Sequence, residues 1–326
     1  MALVEIVKSS GIPLVGALQF GIIDRGSNLL QVRCTTVCNM RCKFCSTSAN
    51  DPNTHPTNFI VDIDYLLEEV EKVAKIKGDN LVIFLDSVGE PTSHPRFVDL
   101  VAGLKKIPQV KEIIVITNGT LLPKERLDAL NKAGLDRINM SFHALNSDLA
   151  KSLFGIESYD INKVMETIDY IKNNTQIDLI LTPVWLHGIN DHEIEKIIIF
   201  AKKINCKIGI QNYEAHKYGR KMKGAKRESY YKFYKNLKDL EIKHDIKLVY
   251  GPRDFNISKA QKIETPIHLG EKINTEILSE GWFKNQKIVS FKSRSVTVRN
   301  CDSNEGDKIN LKVIENKNNI YLAEKI

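Results

Sequence analysis

From about residue 29 the chain alternates between short apolar runs and longer stretches whose apolar residues recur every three or four positions. LLQVRC (29–34), NLVIFLD (80–86), EIIVIT (112–117), LDRINMSF (135–142), IDLILTPVWL (177–186) and CKIGIQNYE (206–214) read as six strands. Helical stretches separate them. DIDYLLEEVEKVAKIKG (62–78) puts Leu66, Leu67, Val70, Val73 and Ala74 on one face. HPRFVDLVAGLKKI carries a proline in an early turn, where its missing N–H costs little. PKERLDALNKAG stops at Gly134. YDINKVMETIDYIKNN, NDHEIEKIIIFAKKI and a segment at about 228–244 complete the set, followed by IKLVY (246–250). Strands this continuously apolar, alternating with helices, describe a parallel sheet covered on its faces. The fold class is α/β, and the expected architecture is a partial (β/α)6 TIM-type barrel. In such folds the loops that follow the strands gather on one face and bind ligands there.

The pattern changes after about residue 262. INTEIL, KIVSF, SVTVRN, KINLKVIE and NIYLAE are short alternating strands, with turns at EGDK and ENKNN and no helical run. They predict a small C-terminal antiparallel β-barrel. The expected organisation is an N-terminal extension packed on the core (1–28), the α/β barrel (29–261) and the small β-barrel (262–326).

Composition excludes several classes. The 326 residues are 42% hydrophobic and 27% charged, as in an ordinary globular protein. No run approaches the roughly 20 apolar residues of a membrane helix. The N-terminus is apolar, but Glu5 and Lys8 interrupt it and no cleavage site follows, so it reads as part of the fold rather than a signal peptide. Without an export signal the expected location is cytoplasmic. Clustered cysteines there point to metal or cluster ligation rather than disulfides.

The net charge of +7 is concentrated in one place. Residues 215–235, AHKYGRKMKGAKRESYYKFYK, hold eight Lys or Arg against one Glu, while the rest of the chain carries 39 of each sign. Tyr218, Tyr230, Tyr231 and Tyr234 interleave with these cations. Such a segment is either a solvated face or a polyanion-binding surface. On the second reading Lys217, Arg220, Lys221, Lys223, Lys226 and Arg227 contact RNA.

Four of the six cysteines fall in CTTVCNMRCKFCS (34–46). Cys38, Cys42 and Cys45 have the spacing C-x3-C-x2-C. Three thiolates can hold three irons of a four-iron cubane and leave the fourth open to another ligand. A structural zinc site would call for two C-x2-C pairs, and there is only one. Cys34 ends an apolar strand and reads as a small buried hydrophobe. Cys206 and Cys301 stand apart, so a single cluster is expected.

TTVCNMRCKFC after a strand closely resembles the signature loop of the radical S-adenosylmethionine (radical SAM) superfamily, with Phe44 as the aromatic residue before the last cysteine. Further motifs fall in the family's order over residues 29–250. SVGEP resembles the turn whose backbone carbonyls bind the amino group of S-adenosylmethionine (SAM), here Gly89, Glu90 and Pro91. TNG supplies Asn118 after the third strand. At the fourth strand Ser141 matches the family's Ser-x-Asp, and His143 replaces the acid. The resemblance implies a [4Fe-4S] cluster on Cys38, Cys42 and Cys45 and SAM on the open iron. It also implies an electron donor such as ferredoxin or flavodoxin, and reductive cleavage of SAM to a 5′-deoxyadenosyl radical.

The last ~60 residues resemble a TRAM domain, an oligonucleotide-binding type of barrel found on RNA-modifying enzymes. Trp282, Phe283, Phe291 and Tyr321 are its candidate stacking platforms; each is equally a candidate core residue. The net charge there is only about +2 and adds no support. The leading functional expectation is radical SAM modification of RNA, with tRNA as substrate. Two alternatives stay open: a radical SAM enzyme acting on a protein or small metabolite, and an RNA-binding protein with a structural metal site.

Overall fold

The computed structural model describes residues 1–326. Strands β1 (Ala2–Ile6), β2 (Gly21–Asp24), β3 (Leu29–Arg33) and β4 (Thr57–Val61) precede helix α1 (Ile63–Lys77). β5 (Leu81–Leu85), α2 (Phe97–Lys105), β6 (Val110–Thr117), α3 (Lys124–Ala133) and β7 (Arg137–Met140) follow. Two helices come next, α4 (Ser147–Phe154) and α5 (Ile161–Asn174), then β8 (Asp178–Leu181) and β9 (Val184–Trp185). After α6 (Asp191–Lys203) come β10 (Lys207–Ile208), β11 (Gln211–Asn212) and α7 (Tyr230–His244). The chain ends with β12 (Lys272–Glu280), β13 (Lys287–Phe291), β14 (Arg294–Arg299), β15 (Lys308–Glu315) and β16 (Leu322–Lys325). The chain divides into two compact units. One holds Met1–Cys38, Asn50–Ile113 and Ile257–Ile326; the other holds Asn39–Ala49 and Ile114–Asn256.

In the first unit β3 pairs in parallel with β5 and antiparallel with β2. β1 and β4 form a separate parallel pair. The apolar N-terminus is therefore a strand of the fold, and β4 is a strand that the hydrophobic pattern did not announce. Helix α1 follows from its sequence. Asp62 caps it by accepting the Tyr65 N–H, and Ile63, Leu66, Val70, Val73 and Ala74 are buried. Lys77, at its last turn, is buried and donates to Asp24 (2.8 Å) and to the Gln261 carbonyl. The other Asp24 oxygen accepts the Ile263 N–H. This buried pair fixes the polypeptide that leads into the C-terminal barrel.

β12–β16 close into a five-stranded barrel in the order β12-β13-β14-β16-β15. Its core is Ile273, Ile277, Val289, Val296, Val298, Leu311, Val313, Tyr321 and Ala323. The expectation of a purely antiparallel barrel needs one correction, because β14 and β16 run parallel. The return of the last strand beside the third closes the cylinder without leaving an edge. Trp282 and Tyr321 are buried, so neither offers a stacking face to a ligand. Trp282 instead stacks on His55, with ring centroids 3.9 Å apart. Gly16, at φ +130°, lets the N-terminal backbone touch the barrel: the Val15 and Gly16 carbonyls accept the Ser295 and Tyr321 N–H groups.

In the second unit β6, β7, β8 and β10 are parallel neighbours in that order, with α3, α5 and α6 as crossovers. Two of the predicted strands are interrupted here. The fifth predicted strand breaks at Thr182–Pro183, since proline has no N–H for the ladder. The sixth breaks likewise at Gly209–Ile210, and β9 and β11 pair separately. IKLVY forms no strand, and α4 is a helix that the periodicity did not single out.

Candidate active site: the cysteine loop and the turns that hold it

In the first unit, Thr36 and Val37 lead the chain out of β3 toward Cys38. The turn after β5 closes on them. A Cβ on Gly89 would lie 2.3 Å from the Val37 carbonyl oxygen and 2.4 Å from that of Thr36, so only glycine fits. The Glu90 N–H donates to the Val37 carbonyl (2.8 Å), and Ser93 Oγ donates to the same oxygen. The buried Glu90 carboxylate accepts from the Thr92 N–H and hydroxyl (3.1 and 2.6 Å) and so caps the short 3-10 turn that begins at buried Pro91. Gly89, Glu90 and Pro91 thus form one rigid turn seated against the approach to the first cysteine. Cys34 is fully buried at the end of β3 and directs its sulfur toward the Pro91 carbonyl (3.8 Å).

In the second unit, the rest of the cysteine loop is gripped from three sides. The end of α4 brackets Cys42: Arg41 N–H donates to the Phe154 carbonyl and Lys43 N–H to that of Leu153. Gly155, at φ +66°, would place a Cβ 2.3 Å from the Arg41 carbonyl oxygen. On another side lies the strap Tyr218–Arg220. Arg220 N–H donates to the Cys45 carbonyl (2.8 Å), and its guanidinium donates to the carbonyls of Cys42 (3.1 Å), Ser48 (3.2 Å) and Ala49. Ser48 Oγ returns a bond to the Tyr218 carbonyl (2.7 Å). The third hold is Asn118, which donates to Asn39 Oδ1 (2.9 Å) and accepts from Thr120.

An aromatic wall lines this loop. Phe44 meets His143 edge-on at 4.8 Å, His143 meets Phe154 at 5.1 Å, and Phe154 stacks on Tyr159 at 4.1 Å. His143 Nδ1 accepts the Val184 N–H (3.1 Å), so Nε2 carries the proton of the neutral ring. Burial pushes its pKa down to about 3, and the ring is uncharged at neutral pH. Ser141 is half-buried just after β7, its N–H bonded to the Thr117 carbonyl.

The three cysteines Cys38, Cys42 and Cys45 are half-buried, and none of the six cysteines is in a disulfide. No group of three or more His, Cys, Asp or Glu side chains converges as ligands of one metal ion. A cubane does not require that, because each thiolate takes a different iron. The surroundings suit such a cluster: hydrogen bonds to its backbone hold the loop at Arg41, Cys42, Lys43 and Cys45.

The basic residues separate into two groups. Lys217, Lys221, Lys223, Lys226 and Arg227 are exposed, as are Tyr218, Tyr230, Tyr231 and Tyr234. Arg220 is drawn inward and directs its guanidinium at the cysteine loop. Sequence reasoning missed this role, and with it the parts played by Asn39, Phe154 and Tyr159. The one local signal for Arg220 was its glycine neighbour: a Cβ on Gly219 would lie 2.8–2.9 Å from the Ser46 and Cys45 carbonyl oxygens.

The model of the Radical SAM superfamily matches residues 32–201. An uncharacterized protein of Methanocaldococcus jannaschii is 33% identical over 96% of this chain and 78% of its own length. The GTP 3',8-cyclase of Aquifex aeolicus is 29% identical over 59% of this chain, which spans 58% of that enzyme. Streptococcus suis SuiB bound to S-adenosylmethionine shares the fold, with a TM-score of 0.53 and 15% identity over 68% of this chain and 49% of SuiB. The family match covers the cysteine loop, the Gly89–Pro91 turn, Asn118, Ser141 and His143, and the chain therefore belongs to the radical SAM superfamily, whose cofactors are a [4Fe-4S] cluster and SAM.

Proposed function

We propose that this chain is a radical SAM enzyme that modifies a nucleotide within RNA, with tRNA as the substrate. Cys38, Cys42 and Cys45 would hold three irons of the cluster and leave the fourth to SAM. Gly89, Glu90 and Pro91 would present carbonyls to the SAM amino group, with Phe44, Asn118, Ser141 and the uncharged His143 shaping the rest of the cofactor site. When bound and reduced, the cluster supplies the electron that cleaves SAM to methionine and a 5′-deoxyadenosyl radical, which removes a hydrogen atom from the substrate. The electron would come from a small carrier such as ferredoxin or flavodoxin.

One observation carries the substrate reading. The exposed cations Lys217, Lys221, Lys223, Lys226 and Arg227 lie on a segment whose Tyr218–Arg220 stretch is bonded to the cysteine loop. A phosphate backbone held by those lysines would be held beside the cluster. The C-terminal barrel would take a neighbouring stretch of RNA as a TRAM-like module; its strand order, 1-2-3-5-4, supports the oligonucleotide-binding type. A second reading, a free purine nucleotide as substrate, is favoured by the relatives named GTP 3',8-cyclase, two of which match 59% and 85% of this chain.

Mass spectrometry of RNA nucleosides from cells with and without the gene tests the first reading. The expected result is one modified nucleoside missing from tRNA. Unchanged RNA, together with 5′-deoxyadenosine released by the purified enzyme on addition of GTP, would establish the second.

A further inference from the structure

The exposed aromatic side chains of this protein all lie between residues 218 and 234: Tyr218, Tyr230, Tyr231 and Tyr234. The same stretch carries the chain's excess of positive charge. Either feature alone is an ordinary surface, but their coincidence selects a partner. Cations alone suit any polyanion. Exposed rings add affinity only for a partner with flat faces, and unpaired nucleotides offer both a phosphate and a face. In duplex RNA the bases are stacked within the helix, so the rings gain nothing from it. An acidic protein segment brings carboxylates and no bases.

Helix α7 arranges these groups. It buries Phe233, Leu237 and Leu240. On the opposite side Tyr231, Tyr234, Lys235 and Lys238 follow the i, i+3, i+4, i+7 spacing of one helix face, and all four are exposed, Tyr231 by 83%. Tyr230 backs Tyr234, with ring centroids 6.2 Å apart. The α7 lysines that form ion pairs are Lys232 and Lys243, which leaves Lys235 and Lys238 without a carboxylate partner. From Tyr231 to Lys238 the helix rises about 10 Å, the length of about three stacked nucleotides.

We propose that this face of α7 is a stacking platform for unpaired nucleotides, with bases on Tyr231 and Tyr234 and phosphates on Lys235 and Lys238. The chain then takes its RNA by a single-stranded loop or end. The inference rests on RNA being the substrate.

Fluorescence anisotropy on the full chain, with a short labelled oligouridylate and with a duplex of equal length, tests it. Tyr231→Ala combined with Tyr234→Ala should melt as wild type, since both rings are exposed. It should bind the oligouridylate about tenfold more weakly and the duplex unchanged. Tyr231→Phe combined with Tyr234→Phe keeps the rings and should retain single-strand binding. Lys235→Ala and Lys238→Ala should weaken both RNAs and lower the salt slope of single-strand binding by about 0.7 each. Wild-type affinity of the double alanine variant for oligouridylate, or an equal loss for the duplex, would overturn the inference. Photocrosslinking of an iodouridine-substituted strand to the wild-type chain gives a second test that needs no variant. Attachment is expected at Tyr231 or Tyr234, and attachment only elsewhere would also overturn the inference. Failure of the RNA reading shows differently: the wild-type chain would bind neither RNA, or would bind polyglutamate as tightly, the mark of an acidic protein partner.

Discussion

Arg220 shows how much one side chain can contribute by bonding to backbone. Its guanidinium gathers the carbonyls of Cys42, Ser48 and Ala49, and its own N–H takes that of Cys45. Arginine suits this task because its donors form a rigid planar fork. Arg220→Met should loosen the loop by about 2–3 kcal/mol, since charge-assisted bonds to partly buried carbonyls are lost. The expected outcome is fewer irons retained per chain after reconstitution, measured by iron assay, with Lys221→Met and Lys223→Met unchanged. His143 makes a prediction in pH. Its pKa in the folded chain, about 3, lies below the unfolded value of 6.5. Between those values the unfolded chain binds the extra proton, so the stability contribution is complete above pH 6.5 and falls as pH drops toward 3. Folding stability should decline by about 1.4 kcal/mol per pH unit between pH 6 and 5, a range in which most carboxylates are still ionised. His143→Gln should flatten that segment of a denaturant-versus-pH series.

At the scale of elements, the turn after β5 and the end of α4 act alike: each presses a glycine against the cysteine loop's backbone. Gly89 touches the carbonyls of Thr36 and Val37, and Gly155 touches that of Arg41. Both contacts are backbone on backbone, and no side-chain rotation can relieve a clash there. Gly89→Ala should displace the turn at a cost of about 1–3 kcal/mol. Because that turn is the proposed SAM amino-group site, SAM affinity should fall at least tenfold in equilibrium dialysis while iron content holds. Retained SAM affinity would remove the turn from the cofactor site. Helix α1 and the strands β3, β5 and β6 were legible from the chain because their periodicity spans several turns or a full buried strand. β9, β10 and β11 were not resolved as separate pieces, since two-residue pairings are set by neighbouring backbone and not by pattern.

At the scale of the whole molecule, the C-terminal barrel is tied to the N-terminal polypeptide by Val15, Gly16, His55 and the Asp24–Lys77 pair. Deleting residues 264–326 should therefore do more than remove a binding module. It uncovers two backbone carbonyls and the face of His55, and should lower stability by at least about 3 kcal/mol. Thermal melting of the truncated chain against the full one would show this, and an unchanged melting point would establish the barrel as an independent appendage. No helix is long and apolar enough to cross a membrane.

The chain alone determined the α/β alternation, the small β-rich end, the cysteine triad with its supporting motifs, and the localised positive charge. These are local properties: a period, a spacing, a count of like charges within twenty-odd residues. What only the tertiary structure decided were the contacts between segments far apart in sequence. Arg220 sat in a run of cations with only its glycine neighbour to distinguish it, and only folding brings its fork to carbonyls some 170 residues away. Tyr159 looked like the ordinary start of a helix until packing on Phe154 buried its hydroxyl. Trp282 and Tyr321 were candidate platforms by composition, and packing made them core. Spacing along the chain identifies ligands that share a loop; which distant side chains hold that loop depends on burial and close approach, which no one-dimensional pattern records.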